Sequence, residues 1–192
     1  MKLGALISNQ KFSIVLGLML LAVFLFAGQS FAKMSAEEVD ASVDAAMERF
    51  QKQVKDASEV VKQAKGLLIL PNVKKGALIV GGEYGQGAMR IGGKTVEYYS
   101  MMSGSVGLQI GGQAKDIIIA FMSNEALKKF RESKGWEAGV DGNVALITVG
   151  AGESAMTAMS KQPISAFVFD VKGLMADMSL KGAKFSKLDK SK

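Results

Sequence analysis

A serine hydroxyl and a lysine amine are the strongest nucleophile and base this chain can offer, because its 192 residues include no histidine and no cysteine. That composition removes every Ser-His-Asp triad, every Cys-His dyad and thiol redox centre, and every zinc site ligated by His or Cys. A disulfide scaffold is excluded on the same ground. What remains is scattered. Ser154 would need a lysine beside it, and no motif surrounds it. The carboxylates Glu83, Asp116, Asp141, Asp170 and Asp177 could act as acid and base only if two converged, and their spacing brings no two together. Gly92-Gly93-Lys94-Thr95 ends like a phosphate-binding loop, yet Ala88 stands where such a loop needs its earlier glycine, and a strand follows instead of a helix. A hairpin turn accounts for those glycines better. Gly82, Gly85 and Gly87 carry the dinucleotide spacing in reverse, again with no helix after them. These residues point to a protein that is not an enzyme and holds no cofactor.

The chemistry left over is charge. Bases outnumber acids 24 to 18, and the excess is uneven. Residues 181–192 hold Lys181, Lys184, Lys187, Lys190 and Lys192 against Asp189, whereas residues 33–180 balance. A basic segment of this kind associates with anionic surfaces, each Lys contributing about 1 kcal/mol near an anionic bilayer. The plainer alternative is a frayed, solvated terminus. No basic stripe interleaved with aromatics is present, so nucleic acid is not an expected partner.

Several elements must position these groups. Residues 1–32 read as a secretory signal: Lys2 and Lys11, an apolar run from Ile14 to Ala27, then Ser30-Phe31-Ala32, with cleavage expected before Lys33. The run is short for a membrane span, though an uncleaved anchor is the competing reading. The expected location is therefore exported, most simply periplasmic. Residues 33–65 read as an amphipathic helix opened by the capping box Ser35-Ala-Glu-Glu38, with an apolar stripe at Val39, Val43, Met47, Phe50, Val54, Ala57, Val61 and Ala64. Its face lacks the Trp and Leu density of a strong interfacial helix, so it is expected to pack on the domain, with a break or bend allowed.

From residue 66 to 188 the period becomes that of strands. Leu67–Leu70 is expected to end in a turn at Pro71-Asn72, and further strands follow at 76–80, 88–91, 95–100, 105–110, 116–121, 136–140, 144–149, 164–169, 174–180 and, weakly, 183–188. Ser123-Asn-Glu125 caps a short helix reaching Lys134. Glycine pairs at 81–82 and 111–112, Asp141-Gly142 and, more loosely, Lys181-Gly182 recur as turns between strands. Gly150–Ser160 reads as a loop or marginal helix. The expected fold class is α+β: an N-terminal amphipathic helix on a mostly antiparallel, glycine-rich curved sheet, barrel or sandwich, with one short helix inserted. Residues 189–192 are left as a basic end. Trp136, Tyr84, Tyr98 and Tyr99 suit a groove or, more commonly, a core; Met156, Met159, Met175 and Met178 suit a pocket or core filling.

Ala64-Lys-Gly-Leu-Leu-Ile-Leu-Pro-Asn72, Gly81-Gly-Glu-Tyr-Gly-Gln-Gly87, Tyr99-Ser100, Gly104–Gln113 and Gly173–Gly182 together resemble the SYLF family, over roughly residues 60–188. The resemblance implies a lipid-binding domain without catalytic residues. It departs from the family pattern at Phe167–Lys172, where an arginine-containing stretch is common, and at Asp177, where a glycine is. Phospholipid or an anionic membrane surface is the expected partner, with Lys74, Lys75, Lys181, Lys184 and Lys187 as the lipid-binding residues. The alternatives are a periplasmic carrier or sensor of an apolar ligand and a module that docks an envelope protein.

Overall fold

The computed structural model describes residues 34–76, 81–105, 113–148, 162–173 and 179–190. The signal segment, Gly150–Ser160 with Ser154, residues 77–80, 106–110 and 174–178 of the strands expected at 76–80, 105–110 and 174–180, Asp177 and the four methionines at 156, 159, 175 and 178 lie outside the described residues. Residues 34–192 group as one compact unit.

The helical segment forms as its caps dictate. In α1 (Ala36–Gln53), Ser35 accepts from the Glu38 amide and Glu38 accepts from the Ser35 amide, so both halves of the capping box are made. The helix stops at Val54, and α2 (Ala57–Gln63) starts after Asp56, whose φ of 64° breaks the run. The single long helix is thus two. The break shifts the buried stripe: Val39, Val43, Ala46, Phe50, Val54, Ala57 and Val60 are buried, with Met47 and Val61 at its margin.

The strands are β1 (Gly66–Gly76), β2 (Gly81–Ile91), β3 (Lys94–Ser105), β4 (Gln113–Phe121), β5 (Trp136–Glu137), β6 (Ala145–Thr148), β7 (Ile164–Lys172) and β8 (Lys184–Leu188), with α3 (Asn124–Glu132) between β4 and β5. They form one sheet in the order β5-β8-β3-β2-β1-β4-β7-β6, antiparallel except for β6 against β7. The α+β class, the helix packed on the sheet and the inserted short helix stand as expected. Gly92 and Gly93, at φ 57° and 79°, close the β2–β3 hairpin as a two-residue turn, which is what Gly92-Gly93-Lys94 is for.

Two sequence expectations change. Pro71-Asn72 is a bulge inside β1 and not a turn: Asn72 takes φ 48° while the ladder to β4 shifts register between Leu70 and Val73. Gly81 and Gly82 lie within β2 instead of in a turn. The weakly expected strand at 183–188 forms as β8, so the alternative of a frayed basic end does not hold: β8 pairs with both β3 and β5, and Phe185 is 1% exposed.

The sheet curls. A side-chain carbon on Gly142 would come within 2.8 Å of Trp136 on β5 and 3.4 Å of Ile164 on β7, strands six places apart in the sheet order. The concave interior is filled by Tyr99, Phe121, Phe130, Trp136 and Phe185, whose rings pack in contact, with α3 closing it. On the convex face α1 lies over Ile69, Ala88, Ile118 and Phe167, and Phe50 packs 5.4 Å from both Phe167 and Phe169. Burying side chains of this size contributes about 2–3 kcal/mol each before entropy is counted. Polar clamps fix the helix along its length. Asp40 accepts from Thr95 and Tyr98, Asp44 pairs with Arg90, and Arg49 joins Asp116 and Asp170.

Candidate functional site

Antiparallel partners that face each other directly put their side chains on the same side of a sheet, so ladder registers can be read across strands as rows. One row runs Lys184 on β8, Met102 on β3, Tyr84 on β2, Lys74 on β1, Ala114 on β4 and Lys172 on β7. It lies on the convex face, two residues beyond Ser186, Ser100, Gln86 and Asp116 in the neighbouring row. The helix α1 does not cover it: Lys74, Lys172 and Lys184 are exposed, and Met102 is 62% exposed. At a strand spacing of about 4.8 Å, Lys184 stands about 14 Å from Lys74 and Lys74 about 10 Å from Lys172. Three ammonium groups therefore spread across the sheet with an exposed thioether and a half-buried phenol between them. One acid, Glu137 on β5, ends the row beside Lys184, and Lys172 also pairs with Asp170 at 3.3 Å.

The next row toward the end of the sheet has no side chains. Gly76, Gly82 and Gly104 oppose one another on β1, β2 and β3. A side-chain carbon added at Gly104 would meet nothing within 4 Å, so that position faces open space. Glycine in a strand costs stability, and such positions commonly mark a place where something approaches the backbone closely. Among the described residues the result is a bare strip flanked by lysines.

The five lysines read from the sequence do not form one patch. Lys74 and Lys184 share the convex row. Lys75, next to Lys74, points into the concave interior beside Glu83 and is buried. Lys187 also faces the concave side, where its ammonium pairs with Glu97 at 2.8 Å. Lys181 sits exposed in the turn before β8. Lys172 and Met102 were not singled out by sequence reasoning. The signal that could have found them is the strand register, because Lys172 shares a face with Lys74 only through Ala114 and a bulge at Asp170.

Other charged places are internally matched. Arg49 bridges Asp116 and Asp170, and Asp116 also accepts from the Asn72 amide at 2.9 Å, which holds the β1 bulge. Asp116 and Asp170 therefore converge, but on an arginine that ties α1 to the sheet, and no free carboxylate pair results. In the groove between α3 and β3, Arg131 and Lys187 are held by Glu97. Burial alone would raise the Glu97 pKa, but hydrogen bonds from Arg131, Lys187 and Tyr99 outweigh it and hold it at about 2. Trp136 and Tyr99 are core residues, Tyr98 serves Asp40 beneath α1, and Tyr84 belongs to the convex row. Among the described residues no cluster of three or more acids could hold a metal ion, and no helix is long and apolar enough to cross a membrane.

Comparison with curated proteins finds no match to the chain. Comparison with family models matches residues 102–191 to Ysc84, described as Las17-binding protein actin regulator. The match starts at Met102, on the convex row, and takes in β4 to β8 with Lys172 and Lys184. Residues 102–191, a little under half of the chain, are therefore similar to the Ysc84 family, in keeping with the resemblance to SYLF domains.

Proposed function

We propose that this protein is an exported, non-enzymatic domain that binds anionic phospholipid surfaces through its convex end, with Lys74, Lys172 and Lys184 meeting head-group phosphates. The observation that carries this reading is the row in which those lysines alternate with Met102 and Tyr84 beside the bare strip Gly76-Gly82-Gly104. Three spaced cations complement a charged plane better than they complement one small ligand. The exposed Met102 offers apolar contact at the same level, and the glycine strip lets the plane approach the backbone. Export rests on the signal-like residues 1–32, and the compartment that fits is the periplasm. The aromatic filling of the concave interior counts against a carrier that encloses an apolar ligand there.

The test is co-sedimentation with phosphatidylglycerol-containing vesicles and with phosphatidylcholine vesicles, at low and physiological salt. Wild type is expected to bind the anionic vesicles and to weaken with salt, since exposed charges are screened within about 8 Å at physiological ionic strength. Replacing Lys74, Lys172 and Lys184 together by Gln removes about 3 kcal/mol, roughly a hundredfold in affinity. Equal binding to neutral vesicles, or an unchanged triple variant, would contradict the reading. Absence of vesicle binding would instead favour a protein partner for the same surface.

A further inference from the structure

Three buried ionisable side chains in the concave interior have no part in the surface just described. Lys115 on β4 is 1% exposed, and Lys75 on β1 and Glu83 on β2 are each 6% exposed. Lys115 Nζ lies 3.0 Å from both carboxylate oxygens of Glu83, a close two-point pair. Lys75 Nζ is 4.0 Å from Glu83 Oε1, too far for a hydrogen bond. Two buried cations thus share one buried carboxylate. Among the described residues no other acid pairs with either lysine, and the cluster carries a formal charge of +1.

Burial is what makes that excess informative. Glu97 also serves two cations, but Arg131 and Lys187 are more than a third exposed, and water screens the surplus. The Arg49 network is balanced, with Asp116 and Asp170 against Arg49 and Lys172. Around Lys75 neither remedy applies. An unmatched charge out of water is costly, and an added anion would remove the cost.

We infer that Lys75 and Lys115 form a site for one small oxyanion, a carboxylate or phosphate group, at the concave end of the β1, β2 and β4 ladders. Ammonium groups are compact point donors that accept either oxyanion. The ligand is small, because the apolar side of the cluster is tightly packed: a carbon on Gly85 would lie 2.8 Å from Val73 Cγ2. Entry is from the Lys75–Glu83 side, where the remaining exposure is. Lys75 there opposes Glu83 on one side, one rung before the Gly76–Gly82 end of that ladder, and Gln113 on the other, at the last rung of the ladder to β4. The site is separate from the convex row, since Lys74 and Lys75 point to opposite faces of the same strand.

The experiment is calorimetric titration and thermal melting of the purified chain in chloride buffer. Inorganic phosphate is one probe and glycerol 3-phosphate, the soluble head group of a phospholipid, is the other. Wild type should bind one phosphate and melt roughly 3–6 °C higher at a tenfold excess over the dissociation constant. A response to both probes assigns the site to free oxyanions generally; a response confined to glycerol 3-phosphate assigns it to a head group. Lys75→Met leaves the matched Lys115–Glu83 pair, so without ligand it should melt higher than wild type and lose the phosphate response. Glu83→Gln raises the site to two unmatched cations and should bind phosphate tighter. A Lys75→Met variant that melts lower, or that responds to phosphate as wild type does, would overturn the inference, because the lysine would then be matched within the chain. Lys75→Met retains Lys74, Lys172 and Lys184, so its vesicle binding separates failure here from failure of the surface reading.

Discussion

Glu97 receives hydrogen bonds from Tyr99 Oη at 2.8 Å, Arg131 Nε at 2.9 Å and Lys187 Nζ at 2.8 Å, and so ties β3 to α3 and β8. Its folded pKa of about 2 lies below the ordinary 4.5. A depressed carboxylate pKa contributes stability that is fully present above the unfolded value and is lost as pH falls through the folded one. Relative to Glu97→Gln, wild type is therefore expected to hold a constant advantage above about pH 5, at most about 3 kcal/mol, that shrinks between roughly pH 4.5 and pH 2. Denaturant melts of both proteins across that range check this, and an advantage that grows on acidification would contradict it. Tyr99 stays protonated throughout, since burial and the Glu97 charge push its phenol up. Little of this was legible in the chain. Lys187 looked like one of five free lysines, but its partner is 90 residues away and is reached only through the pairing of β8 with β3. The exclusions were fully legible, because residue types that are missing need no register.

Elements divide by how local their signals are. The capping box at Ser35, the Ser123 cap of α3 and the Gly92-Gly93 hairpin depend on residues within a few positions, and all three form. The β1 bulge uses the same vocabulary as a turn, proline followed by a residue at positive φ, and only Asp116 on the neighbouring strand decides between them. A matching bulge at Asp170, φ 48°, stands across β4 from it, and Arg49 of α1 binds between the two. Sheet curvature and helix docking are therefore fixed at one place. The strand β8 was expected only weakly, because its lysines conceal the alternation: Phe185 is inward while Lys184 and Ser186 point outward. A chain ending at Leu180 loses the strand between β5 and β3 together with Phe185, which touches Phe130 and Trp136. It is expected to lose its cooperative melt by near-ultraviolet circular dichroism. A truncated chain that melts within a few degrees of wild type would show β8 to be dispensable.

At the scale of the molecule, the two faces of one curled sheet divide the work. The concave side is filled by aromatics and closed by α3, and it carries the buried Lys75–Glu83–Lys115 cluster at its far end. On the convex side α1 covers Ile69, Ala88, Ile118 and Phe167, and among the described residues nothing covers the lysine row and glycine strip. Net charge alone predicted a basic tail, whereas the fold draws Lys184 from that segment and sets it in register with Lys74, more than a hundred residues earlier. The central claim is that this bare end meets an anionic lipid surface, and the absence of cysteine gives a direct way to see it. Gly104→Cys, at a position with open space around it, would carry an environment-sensitive fluorophore on the strip, and Lys128→Cys on α3 would carry the same label on the concave side. With phosphatidylglycerol vesicles, the label at 104 is expected to shift to the blue and gain intensity while the label at 128 does not change. Equal shifts at both positions, or a shift at 128 alone, would contradict the account.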